Sequence, residues 1–168
     1  RKGLAVEKDV KRFLQETGTE YIDMVLLHCL TEPDWPQRYP DAMEALSRCK
    51  EQGLIRAHGV SCHDFGALQT SALTEWVEVV LTRINYAGVS MDASPPDIIR
   101  TMETMAAQGK GVYGMKVIGM GKLGKEDGGV RQAIEFVLDL PCVHAMTIGM
   151  ESEAQVQENV AIINELTD

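Results

Sequence analysis

The sequence predicts a parallel α/β fold, and three observations carry that expectation. Apolar periodicity switches between helix-type stripes and short apolar runs along the whole 168 residues. The runs end near His28, Ser61, Asn85, Ile118 and Ile148, roughly thirty residues apart, the length of one strand, its crossover helix and the return. They are continuous rather than alternating, as in strands covered by helices on both faces.

The elements follow in order. Val6, Val10, Phe13 and Leu14 mark a first helix that Gly18 can end. Tyr21 to Leu27 is an apolar strand ending at His28. The next helix spans Pro40 to Gln52, with Pro40 in its first turn and Gly53 past its end. Ile55 to Ser61 reads as a second strand, and Asp64 can cap a short helix carrying Ala67, Leu68 and Ala72. Val77 to Asn85 is a third strand, rich in β-branched residues. Pro95-Pro96 opens a helix through Gln108, closed by Gly109, and Val112 to Ile118 makes a fourth strand. Val130, Ala133, Ile134, Val137 and Leu138 form a helix stopped by Pro141, and Val143 to Ile148 is the fifth strand. Ser152-x-x-Gln155 is a capping-box pattern for a last helix through about Leu166, with Val156, Val160 and Ile163 inward.

No low-complexity linker interrupts this series, so residues 1–168 are read as a single domain. Five strand–helix units fill it, whereas an eight-unit barrel needs about 250 residues. The sheet is therefore either open and doubly wound or five-eighths of a barrel. The chain begins Arg1-Lys2-Gly3 without an initiator Met, which suggests a piece of something longer. With 16 basic and 25 acidic residues the formal net charge is −9, which argues against general nucleic-acid or anionic-membrane binding. No apolar run is long enough to span a bilayer. Cys29, Cys49, Cys62 and Cys142 lie far apart with no CxxC, so a reducing, cytoplasmic setting is expected.

In parallel α/β folds the residues at the carboxyl ends of the strands do the chemistry. His28, Ser61 to His63, Asn85, Lys116 and the Gly119 to Gly124 loop hold those positions. A strand-end His more often serves structure than catalysis; its functional use is a hydrogen bond to a substrate carbonyl or acid–base work near neutral pH. His28-Cys29 and Cys62-His63 could suggest zinc, but adjacent strand residues face opposite sides, so no metal site is expected. Lys116 could form a Schiff base, although a lysine paired with a carboxylate is the plainer reading. Gly119-Met120-Gly121-Lys122-Leu123-Gly124 matches G-x-G-x-x-G after a strand, but no helix starts at the third glycine. A glycine-rich loop that wraps a phosphate by other geometry is the alternative to a plain surface loop.

Several segments together resemble the aldo-keto reductases, NAD(P)H-dependent (β/α)8 TIM barrel enzymes, over their strands four to eight. Tyr21 to His28 resembles the fourth strand, whose terminal His belongs to the catalytic tetrad. Ala45-Leu46 through Lys50-Glu51-Gln52-Gly53-Leu54-Ile55-Arg56-Ala57-His58-Gly59-Val60-Ser61 is similar to the stretch ending in the Ser that holds the nicotinamide carboxamide. Met115-Lys116 with Gly119 to Leu123 resembles the strand and loop near the pyrophosphate. Thr147-Ile148-Gly149-Met150 with Gln155, Glu158 and Asn159 resembles the end that recognises the adenosine half.

The resemblance implies about five β/α units of a TIM barrel and hydride transfer between NADP(H) or NAD(H) and an aldehyde or ketone. It implies His28 as the catalytic residue, orienting the carbonyl. Ser61, Cys62, Asn85, Gly119, Gly121, Lys122, Leu123, Gln155, Glu158 and Asn159 would bind the cofactor. The tetrad's Asp, Tyr and Lys would precede Arg1, so no turnover is expected from these residues alone. Departures are Cys62 where the family has Asn, Ile84 where many members have Tyr before the Asn, and Gln155 where an Arg often binds the 2′-phosphate. The expected partner is a small carbonyl compound, and exposed strand edges would favour a homo-oligomer. A nucleotide-binding barrel subunit without turnover and a lyase using Lys116 are the rival readings.

Overall fold

The computed structural model describes residues 3–125 and 127–167. Five strands alternate with helices, and hydrogen-bonded neighbours follow chain order, β1-β2-β3-β4-β5. The described residues form two compact units, one up to Val80 and one from Leu81.

In the first unit, α1 (Gly3–Thr17) presents Val6, Val10 and Leu14 to the core and stops where Gly18 adopts φ +66°. Strand β1 (Ile22–Leu30) runs parallel to β2 (Ile55–Cys62), with Ile22 opposite Ile55 and Leu27 opposite Val60. It continues past His28, where its predicted end lay, to Leu30, although Cys29 takes a left-handed φ of +60°. That bend shifts the register between Leu27 and Leu30. A short helix unforeseen from the sequence, α2 (Trp35–Arg38), buries Trp35 completely. Helix α3 (Pro40–Glu51) starts at its proline as predicted and packs Leu46 and Cys49 against Val10 and Ile55. Arg48 of α3 reaches Glu7 of α1 through Nε at 2.9 Å and Nη2 at 2.7 Å. Helix α4 (Phe65–Leu73) is capped by Asp64, whose carboxylate accepts from the Ala67 N–H at 2.8 Å.

β3 (Val79–Arg83) passes from the first unit into the second. The second unit continues with α5 (Pro95–Ala107), capped by Ser94, and β4 (Gly111–Met115). β4 ends before the predicted Ile118 because Lys116 turns left-handed at φ +59°. Two 3-10 turns follow, Gly119–Gly121 and Leu123–Lys125, then α6 (Gly129–Leu138). β5 is only Ala145–Met146, shorter than the predicted Val143 to Ile148. His144 explains part of this: its Nδ1 accepts the Val112 N–H at 3.0 Å, where a strand carbonyl would otherwise bond. Parallel pairing then joins Tyr113 to Ala145 and Gly114 to Met146. Ile84, Ile98, Met102, Met105, Ile134 and Val137 fill this unit's interior, each nearly or wholly buried. At about 1.5–3 kcal/mol for each such side chain, their burial is the main stabilising term here.

Helix α7 (Glu153–Thr167) corrects one expectation. Val156 and Val160 are exposed, at 42% and 51%, and Asn159 is the residue it buries. The covered face follows Asn159, Ile162, Ile163 and Leu166, at helical spacing, and leaves the two valines to one side. Among the described residues no helix is long and apolar enough to cross a membrane.

Candidate functional site

The first unit sets His28 and Ser61 at the carboxyl ends of two paired strands. His28 is exposed, and its ring meets the His63 ring edge-on at 5.9 Å. His63 is held by its backbone N–H, which donates to the Leu30 carbonyl at 2.8 Å. His28 also borders an apolar cleft of about 420 Å³ with Phe13, Leu30 and Tyr39. An exposed imidazole in this position can donate a hydrogen bond to a carbonyl.

Ser61 is 1% exposed, and its Oγ has no hydrogen-bond partner among the described residues. A buried hydroxyl left this way costs about 1–3 kcal/mol, so a polar group brought to it would regain that energy. Its neighbour Cys62 turns the other way, as strand alternation requires. The Cys62 Sγ lies 3.4 Å from the Ser71 Oγ inside the core, and Ser71 donates to the Ala67 carbonyl. This places Cys62 among the packing of α4.

A third histidine in this unit, His58, is structural. Its ring stacks on Trp76 with centroids 4.3 Å apart and planes 6° from parallel. Its backbone N–H donates to Glu78 Oε2 at 3.1 Å, and Lys50 binds the other carboxylate oxygen. Burial lowers the His58 pKa, against the opposing pull of Glu78. Burial would raise the Glu78 pKa, but the Lys50 and His58 hydrogen bonds outweigh it and hold the carboxyl below its usual range. Burial likewise pushes the Cys49 and Cys142 thiols up, which suits inert core residues. Among the described residues no group of three or more His, Cys, Asp or Glu is placed to hold a metal.

In the second unit, Asn85 is fully buried and its amide is engaged. Nδ2 donates to the Val89 carbonyl at 2.8 Å and to the Lys116 carbonyl at 3.2 Å, while Oδ1 accepts from the Val89 N–H at 3.0 Å. Asn85 thus fixes the left-handed turn at Lys116 from behind. Beside it, Arg83 donates to Asp92 at 2.9 Å, and Tyr86 meets Phe136 of α6 edge-on, so its ring is committed to packing.

Lys116 opens a cleft of about 550 Å³ with Met120, Gly121, Thr147, Gly149, Glu151 and Gln155 on its walls. Its floor loop is a run of unusual backbone: Gly119, Met120 and Gly121 have φ of +56°, +59° and +78°. Glycine is needed at Gly119 for a second reason, since a Cβ there would stand 3.1 Å from both Val89 and Leu123 side chains. The Gly119 N–H donates to the Lys116 carbonyl at 2.8 Å, which closes the turn.

At the start of α7, Gln155 acts as the capping pattern suggested, with one difference. Its N–H donates to Ser152 Oγ at 3.3 Å, but its Oε1 accepts from the Glu151 N–H, at 2.6 Å, rather than from Ser152. Lys116, Gly121 and Gln155 are therefore gathered in one cleft. Lys122 lies exposed just beyond that lining, and Leu123, half-buried, packs near Gly119. Glu158 borders a different cleft, with Lys125, Arg131 and Glu165, and Asn159 is buried beneath α7. Glu151 was missed as a cleft residue, because only its neighbours carry a motif. Thr82, wholly buried and with no hydrogen-bond partner for its Oγ1 among the described residues, gave no sequence signal either.

Comparison with known proteins returns consistent relatives. The chain is similar to a Pseudomonas aeruginosa protein described as an aldo-keto reductase, with 22% identity, a TM-score of 0.78, and coverage of 99% of this chain and 61% of that one. It is similar to the Bacillus halodurans aldo-keto reductase AKR11C1 in its holo form, with 19% identity, a TM-score of 0.77, and coverage of 96% and 62%. An aldo/keto reductase of Klebsiella pneumoniae, solved with NADP and acetate, matches at 20% identity and a TM-score of 0.72, over 95% and 59%. These likenesses show the fold, α/β with the β/α units of a partial TIM barrel, and the chain spans about 61% of the length of the first of them. No curated protein matches. The model of the aldo/keto reductase family matches residues 4–132, most of the chain, and the protein belongs to that family.

Proposed function

We propose that the chain supplies the dinucleotide-binding and carbonyl-orienting part of an oxidoreductase that acts on aldehydes or ketones with NAD(H) or NADP(H). The observation that carries this is the cleft uniting Lys116, Gly121 and Gln155, which meets the needs of a pyrophosphate with an ammonium and open glycine backbone. The orphaned Ser61 hydroxyl supports it from the first unit, since a nicotinamide carboxamide offers both a donor and an acceptor.

When bound, the nicotinamide supplies the hydride for a carbonyl carbon. His28 holds the carbonyl oxygen by a hydrogen bond from its neutral ring, the form in which one ring nitrogen donates. Lys116 offsets phosphate charge, Lys122 adds to the local positive field from the loop, and Asn85 keeps the Lys116 turn in place.

Titrating the chain with NADH and with NADPH, followed by nicotinamide fluorescence, tests the reading. Saturable binding with Kd between about 1 μM and 1 mM is the expected result for at least one of them. Lys116→Gln should weaken it about tenfold, the effect of losing one partly exposed charge pair. Absence of saturation for both dinucleotides would sink the proposal.

A further inference from the structure

We infer that Met120 and Met150, on the walls of the cleft at the end of β4, are a reversible oxidation site: conversion of their thioethers to sulfoxides lowers the cleft's affinity for a dinucleotide, and reduction restores it. The change of affinity rests on the dinucleotide reading above, whereas the modification itself does not.

The chain has nine methionines, and the fold treats them unequally. Met102 and Met105 of α5 are wholly buried, and Met115, which ends β4, is nearly so. Met120 and Met150 are 64% and 43% exposed, and both stand on the cleft that Lys116 opens. Packing does not account for Met120. It sits between two glycines at φ +59°, a left-handed backbone that disfavours most side chains, and it gains little burial in return. Its thioether is instead held out at the cleft wall. Met150 precedes a fixed turn, in which the Glu151 N–H donates to Gln155 Oε1 at 2.6 Å.

Peroxides and hypohalous acids are the class of oxidant that converts such thioethers. With hydrogen peroxide, the sulfur lone pair attacks one oxygen, the O–O bond breaks, an S–O bond forms and the other oxygen leaves as water. Two electrons pass from the sulfur to the peroxide. The product replaces a soft apolar wall by a polar one that carries an acceptor oxygen. Lys116 is the one cation among the described lining residues, so a sulfoxide oxygen there competes with a phosphate for the same ammonium.

The test blocks the exposed Cys29 thiol with iodoacetamide and treats the 168-residue chain with dilute hydrogen peroxide. Peptide mass spectrometry locates the added oxygen, and NADH and NADPH are titrated before and after. Oxygen should enter Met120 and Met150 well ahead of Met102 and Met105, and binding should weaken about tenfold, comparable to one lost hydrogen bond. Methionine sulfoxide reductases for both epimers should restore it. Met24, as exposed as Met150 but on β1, is the internal control. Met24→Leu should leave the loss in place, whereas the double variant Met120→Leu, Met150→Leu should keep its own untreated affinity after peroxide. Oxidation no faster at these two positions than in α5, unchanged binding after it, a loss that persists in the double variant, or no recovery on reduction would each overturn the inference. An untreated chain that binds neither dinucleotide would remove the dinucleotide reading, and the inference with it.

Discussion

Gly59 is where the sheet has the least room, and Gly59→Ala follows from that geometry. A Cβ at this position would stand 1.8 Å from the Val79 carbonyl oxygen, 2.7 Å from its carbon and 3.0 Å from its nitrogen. All three atoms are backbone, so no side chain can swing aside. β2 and the start of β3 would have to part by about 1.2 Å to restore even a tight contact of 3.0 Å. An N–H···O bond near 2.9 Å does not survive that stretch. Two lost ladder bonds at about 1 kcal/mol each, with disturbed packing of about 1–3 kcal/mol, give about 3–5 kcal/mol. Domains have only about 5–15 kcal/mol in total, so this variant should be near unfolding. Urea denaturation followed by tryptophan fluorescence is a direct assay, because Trp35 and Trp76 both lie in this unit and adjoin each other at 6.3 Å. Gly53→Ala is the control: its φ of +73° disfavours a side chain but nothing stands within 4 Å, so about 1–2 kcal/mol is expected. A Gly59→Ala protein within about 1 kcal/mol of the parent would refute the reasoning.

Two further outcomes follow. Stability should fall as pH drops below the ordinary imidazole value of about 6.5, because burial lowers the His58 pKa and the unfolded chain takes up the proton first. The slope from this group is at most about 1.4 kcal/mol per pH unit, Glu78 adds loss of the same sign at more acid pH, and His58→Phe should flatten the upper part of a curve measured by urea midpoints. Asn85→Ala should cost about 2–4 kcal/mol, since it strips three partly buried hydrogen bonds, and should weaken dinucleotide binding by loosening the Lys116 turn. A variant as stable as the parent would contradict the structural part, and one that binds unchanged would contradict the positioning part.

Most helices were legible because their boundary chemistry is local. Gly18, Gly53 and Gly109 end helices in left-handed conformations, Asp64 caps α4, and the prolines at 40 and 95 sit in first turns. The strands were legible in order but not in length. Cys29 and Lys116 adopt left-handed backbone without being glycine, a choice imposed by tertiary contacts such as the Asn85 bond to the Lys116 carbonyl. β5 is cut short by a side-chain contact from His144 that no periodicity encodes. In the site, the residue types at strand ends pointed to His28, Ser61 and Lys116, and motif likeness to Gln155. Side-chain direction was not legible: Cys62 turns to α4, Asn85 turns into the loop, and Glu158 borders a separate cleft. The exposed Val156 and Val160 show the same limit, since an apolar stripe does not say which of its edges is covered.

The central claim is that Lys116, Gly121 and Gln155 line one dinucleotide cleft, and backbone hydrogen exchange with and without saturating NADH tests it most directly. The account predicts slowed exchange at residues 117–122 and 148–155, the walls of that cleft, with little change along α5 on the same unit. Binding that leaves both wall segments unprotected would contradict it.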